Sequence, residues 1–132
     1  MRKWRLPLTY QPKIEPVLLG TCRQTIRMGR KKRVGDLIRF YVWSGKAYRS
    51  KQVDLTEYEP LKEVINIKIV PDGVWIVGSE QFMPLLWDSS PVLDLIAERD
   101  CIIPPTGKSL KEVLTSKNGK IPTEGIEAQI LR

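Results

Sequence analysis

GTCRQTIRMGRKKRVGDLIR, residues 20–39, joins a glycine stop, a β-branched pair, four consecutive cations and a Gly-Asp step into a hydrophobic run. Thr25 and Ile26 favour extended backbone over Arg23–Met28, which sets Thr25 and Arg27 on one face and Cys22 at the strand entrance. Gly29–Arg33 reads as a turn carrying Arg30, Lys31, Lys32 and Arg33. Val34-Gly35-Asp36 then opens a second strand, Leu37–Trp43, with Ile38, Phe40 and Val42 on its apolar face and Arg39, Tyr41 and Trp43 on the other.

Working outward, residues 4–10 (WRLPLTY) alternate loosely around Pro7, as a short edge strand does. Gln11–Leu19 carries Ile14, Val17 and Leu18 at helical spacing, is limited by Pro16 and stops at Gly20. Downstream, 44–52 is a polar loop or returning strand with Lys46, Arg49 and Lys51 around Tyr48. Glu63–Val70 alternates, with Ile65, Ile67 and Ile69 inward and Asn66 and Lys68 outward, and Pro71-Asp72-Gly73 turns it into a return strand, Val74–Val77. Ser90-Pro91 caps a helix whose apolar face is Val92, Leu93, Ile96 and Ala97 and which ends near Arg99. Ser109 with Glu112 reads as a capping box that starts another. Thr106-Gly107-Lys108-Ser109 is not a phosphate-binding loop, because Ile102 stands where its first glycine belongs and Pro104-Pro105 removes two backbone donors. Ile126–Leu131 returns as a strand to close the sheet. The pattern predicts one α+β domain over 1–132, a small, partly closed mixed β-barrel with short helices packed around it.

Charge is distributed unevenly. Residues 1–51 hold 14 Lys and Arg against two acids, whereas the remainder carries a net −5, for an overall +7. Such asymmetry points to a polyanionic partner. The chain has no histidine, which excludes histidine triads and histidine metal sites. Cys22 and Cys101 are far apart in sequence and offer neither a disulfide framework nor a paired-thiol metal spacing, so no metal and no cofactor is expected. With no signal-peptide core and no run of 18 apolar residues, the expectation is a cytoplasmic protein without a membrane partner.

Gly20, Cys22, Thr25 and Arg27, followed by Gly35-Asp36 and the strand 37–43, resemble the signature of the ASCH domain family within the PUA-like superfamily. Its pattern is G-x-K-x-x-E-x-R, a basic loop, a G-D pair and a hydrophobic strand. The threonine at 25 is closer to a subgroup, the bacterial enzymes that deacetylate acetylated cytidine. The resemblance implies a PUA-like barrel with a cleft beside the signature, RNA binding or handling of modified nucleosides, and an acid facing the signature from the Leu95–Asp100 segment. Cys22 departs from the family at the lysine thought to activate the threonine, and Asp100 is one methylene shorter than the subgroup's acid.

Three readings follow. The first is an RNA-binding module in which Arg27, Arg30, Lys31, Lys32 and Arg33 meet phosphates and Arg39, Tyr41 and Trp43 hold bases. Against it, a charge run is also the composition of a solvated loop, and strand aromatics are also an ordinary half-buried layer. The second is an amidohydrolase acting on a modified nucleoside, with Thr25 or Cys22 as nucleophile, Asp100 or Glu98 as acid or base, and Arg27 orienting the substrate; neighbouring cations would lower the Cys22 pKa. The third is an adaptor whose basic loop meets an acidic protein. Arg27 either faces a cleft or pairs with Asp36.

Overall fold

A computed structural model of the chain describes residues 1–46 and 49–132, apart from the side chains of residues 117 and 118. The elements run β1 (Lys3–Pro7), α1 (Gln11–Leu18), β2 (Thr25–Met28), β3 (Leu37–Trp43), β4 (Gln52–Asp54), β5 (Glu59–Pro60), β6 (Val64–Val70), β7 (Gly73–Ile76), β8 (Leu85–Leu86), α2 (Pro91–Arg99), α3 (Gly107–Asn118) and β9 (Ile126–Leu131). Tyr48, expected at the centre of a basic loop, lies outside the described residues.

The strands form two sheets. In the first, β1 runs parallel to β3, and β4 and β5 pair antiparallel with successive parts of β3. The second has the order β2-β9-β6-β7-β8, antiparallel throughout. Alternation explains the 64–76 hairpin: Ile67 and Ile69 are buried and Asn66 and Lys68 exposed, with the turn at Pro71-Asp72. The α+β class is as expected, but the ladders do not close on one another. A continuous segment links them instead: Leu61 donates to the Asp36 carbonyl beside β3, and two residues later Glu63 donates to the Arg132 carbonyl beyond β9.

Strand β9 lies between two apolar clusters. Ala128 and Ile130 face the larger one with Ile67, Ile69, Leu93 and Ile96. Leu131 belongs to the smaller one, with Leu6, Leu8, Val17, Cys22, Phe40 and Leu61. The apolar face of β3 is therefore the expected one. On α2, Leu93, Ile96 and Ala97 are buried, whereas Val92 is 46% exposed, a correction to its placement on the core face.

Helix ends are set by local chemistry. Thr21 donates to the Pro16 carbonyl and Gly20 to that of Val17, the double bond of a Schellman stop with Gly20 at φ +78°. The same pattern closes α2, where Ile102 donates to Ala97 and Cys101 to Glu98, but here a cysteine takes the left-handed position at φ +59°. The cap of α3 is Thr106 rather than Ser109: its hydroxyl accepts from the Ser109 N–H at 3.1 Å, and the helix begins at Gly107. Gly107 is packed so closely that a Cβ would strike the Trp87 carbonyl, and its N–H donates to Asp94 Oδ1 at 2.8 Å. Tertiary fit thus chooses between two capping residues that stand three positions apart. No described helix is long and apolar enough to cross a membrane.

Asp36 ties the first sheet to the loop before it. Its carboxylate accepts from the backbone N–H of Arg2 at 3.1 Å and of Arg33 at 3.0 Å, and from Trp4 Nε1 at 3.1 Å. These donors, the Arg2 N–H foremost, hold its pKa below the usual aspartate value. A carboxylate so depressed contributes stability that is present above its unfolded pKa and is lost as pH falls through the native one. Asp36→Asn is expected to lower the thermal midpoint at pH 7, with the gap to wild type narrowing below about pH 4. Melting both proteins at pH 7 and at acid pH checks this, and a gap independent of pH would contradict it.

Candidate functional site

Thr25 and Arg27 share a face of β2, as strand periodicity requires, and that face looks into a cleft of about 240 Å³. The opposing walls are Tyr10, at the start of α1, Lys13 within it, and Asp100 and Ile102 at the end of α2. Leu110 and Val113 of α3 close the far side. The volume lies just below the range of about 300–1,000 Å³ usual for small-molecule pockets, so it suits one small group.

Four polar side chains dominate the cleft. The Thr25 hydroxyl accepts from Arg27 Nε at 2.9 Å, which leaves its own proton to donate elsewhere. Lys13 and Asp100 are 4% and 6% exposed, and Lys13 Nζ lies 3.0 Å from Asp100 Oδ1. The ammonium meets that oxygen off the axis of a hydrogen bond. Burial pushes the Asp100 pKa up, with Lys13 opposing the shift. Burial likewise pushes Arg27 down to about 10, with Asp100 acting in the other direction. Arg27 therefore faces the cleft and does not pair with Asp36, whose donors are those of β1 and the loop.

Of the residues expected in a hydrolytic site, Thr25 and Asp100 are brought together and Cys22 is not. Cys22 is buried in the smaller cluster, its Sγ 3.9 Å from the Gln24 carbonyl and 3.7 Å from that of Arg99. The expected lowering of its pKa is reversed: burial pushes it up to about 12. Glu98 points outward from α2 and does not line the cleft. Lys13 is the residue missed in the sequence. Its signal was its position four before Val17, which puts a lysine on the buried face of an amphipathic turn.

The basic loop is divided. Arg30, Lys31 and Arg33 are exposed, and their side chains make no ion pair among the described residues. Lys32 points inward, a correction to its place in the phosphate-binding set. Its backbone N–H donates to Gln129 Oε1 at 2.8 Å, its carbonyl accepts from Gln129 Nε2 at 3.1 Å, and its ammonium lies 4.6 Å from the Trp4 ring centre. Burial lowers its pKa.

The outer face of β3 is occupied by its own partners. Arg39 binds Asp54 at 3.3 Å and Glu57 at 3.0 Å and lies over the Tyr58 ring. Arg5 binds Asp54 at 2.8 Å and covers Tyr41, which meets Trp43 edge-on at 5.7 Å. Arg39 and Tyr41 are thus engaged within the sheet rather than open for a base. Comparison with family models, with curated proteins and with solved structures gives no match.

A buried ion pair that loses one partner leaves an uncompensated charge. Lys13→Met is expected to cost about 3–5 kcal/mol, whereas the double variant Lys13→Met/Asp100→Leu recovers most of that loss. Urea denaturation of the two variants checks it; equal losses would mean that the pair is not coupled.

Proposed function

We propose that this chain is a cytoplasmic RNA-binding domain of the PUA-like, ASCH-type class, in which the cleft beside β2 takes one unpaired nucleotide and the loop after it tracks the phosphates. The observation that carries the reading is the placement of Arg30, Lys31 and Arg33, outward and without ion-pair partners among the described residues, on the loop that leaves β2 at Met28, itself a wall of the cleft. Arg27 offers guanidinium donors inside, and Asp100 and the Thr25 hydroxyl offer acceptor and donor for a base edge. Lys32, Arg39 and Tyr41 take no part in this reading.

Three phosphate contacts on a single strand give a log–log salt slope of about −2. Fluorescence-anisotropy titration with labelled single-stranded RNA, structured RNA and matching DNA at two salt concentrations is expected to show salt-sensitive binding that favours unpaired RNA. Replacing Arg30, Lys31 and Arg33 with Ala is expected to flatten the slope, and Arg27→Ala to weaken binding without flattening it. Absence of binding at low salt overturns the reading.

A second reading, amide hydrolysis on a modified nucleoside such as acetylated cytidine, is favoured by one observation: Lys13 and Asp100 line the same cleft as Thr25. A lysine supplied from α1 answers the absence of lysine at position 22. Turnover of acetylated nucleosides that disappears in Thr25→Ala supports this reading, and its absence in the wild type removes it.

A further inference from the structure

A second concavity, of about 380 Å³, shares no lining residue with the cleft beside β2. Lys13 lines the first and Val17, about one helical turn later on α1, lines the second. Its floor is the smaller apolar cluster: Val17, Cys22, Phe40 and Leu61 are buried there, and Ile38 packs against them. The walls are the turn that leaves α1 through Gly20 and Arg23 and the segment from Thr56 to Lys62 that leads from β4 to β6. The volume falls within the range of about 300–1,000 Å³ usual for small-molecule sites.

The charged groups stand at the rim. Arg23 is exposed, and its Nε donates to the Gly20 carbonyl at 3.2 Å, which sets the guanidinium beside the opening and leaves its terminal nitrogens as donors. Lys62 is exposed as well, and neither cation has an ion-pair partner among the described residues. Arg132 is already engaged, with Glu63 at 2.6 Å and Gln24 Oε1 at 2.9 Å. Glu59 is the acid among the lining residues, so two unpaired cations against one acid leave one positive charge in excess. The Thr56 hydroxyl is taken up by the sheet, accepting from the Phe40 N–H at 3.0 Å.

We propose that this pocket binds a monocarboxylate with an apolar chain of medium length, the chain lying on Val17, Phe40 and Leu61 and the carboxylate held at the mouth by Arg23 and Lys62. The paired nitrogens of the guanidinium suit the two oxygens of a carboxylate, and the ammonium adds a second, less directional charge. A cationic amphiphile meets two like charges for one unlike, and a neutral one leaves the donors without a charged acceptor. At about 30 Å³ for each water-sized group, the volume admits about ten carbons with their carboxylate. Each methylene that leaves water for the apolar floor improves affinity about fourfold, so chain burial drives binding and the rim selects the charge. The site does not depend on what the cleft beside β2 binds.

The test titrates the isotope-labelled full chain with sodium decanoate, below its micelle concentration, and follows methyl resonances by NMR. Those of Val17, Ile38 and Leu61 are expected to shift, and those of Leu110 and Val113, in the cleft beside β2, to stay in place. Affinity is expected to rise about fourfold per methylene from hexanoate to decanoate. Decanoate is expected to bind about tenfold tighter than decanol or decylamine. The double variant Arg23→Gln/Lys62→Gln is expected to erase that preference and keep the chain-length dependence, and Glu59→Gln to tighten decanoate binding about twofold. All three positions are exposed, and the unchanged methyl spectrum of each variant without ligand shows that it is folded. Pocket methyls that do not move, shifts confined to Leu110 and Val113, or equal binding of decanoate, decanol and decylamine would each overturn the proposal.

Discussion

The side-chain amide of Gln129 treats Lys32 as a neighbouring strand would, taking its N–H at 2.8 Å and giving a proton to its carbonyl at 3.1 Å. The same amide reaches Asn66 on β6 at 3.0 Å, so that one buried side chain joins the loop to two strands of the second sheet. Buried backbone groups have to be paired, and a loop that lies against a sheet without joining its ladder needs such a surrogate. The clasp turns residue 32 inward, and its neighbours on either side are exposed. The three outward cations are consequently displayed by a shaped loop. A ligand that binds them meets less ordering cost than it would on a free tether.

Inside the cleft the balance of charge is positive, with Lys13 and Arg27 facing Asp100 alone. Burial works against all charge there, and it shows in the raised aspartate and the lowered arginine. Isolated ions in such surroundings are unfavourable, so the Lys13 and Asp100 contact reduces a penalty more than it adds attraction. The Arg27 bond to Thr25 has a similar character: it fixes the direction of a hydroxyl inside a strand whose other face is packed. The arrangement is one of positioned donors around a small volume, with carboxylate and hydroxyl oxygens as acceptors.

What could be read from the sequence was what neighbouring residues decide among themselves. Alternation placed β3 and the β6–β7 hairpin, Ser90-Pro91 placed the start of α2, and Gly20 the stop of α1. Thr25 and Arg27 were legible as a pair because strand period alone sets them on one face. What escaped depends on residues distant along the chain. Lys32 looks like its three cationic neighbours until Gln129 is in place. Arg39 looks like a free cation until the Asp54 and Glu57 side chains meet it. Lys13 is an unremarked helix residue until Asp100 arrives from the end of α2. The start of α3 was misplaced by two residues because both Thr106 and Ser109 are competent caps, and the choice rests on Gly107 against Trp87.

Strand β9 pairs on one side with β2, roughly 100 residues earlier, and on the other with β6. Four consecutive residues of it, Ala128 to Leu131, are buried. During synthesis β2 and β6 therefore leave the ribosome long before the strand that lies between them. Until then each exposes an unpaired edge, and the smaller apolar cluster lacks Leu131. Pairings this distant close slowly, because the entropy of a long loop is lost before any contact compensates it. The nascent chain thus passes through a stage in which the cationic loop exists but lacks its clasp, because Gln129 is made after it.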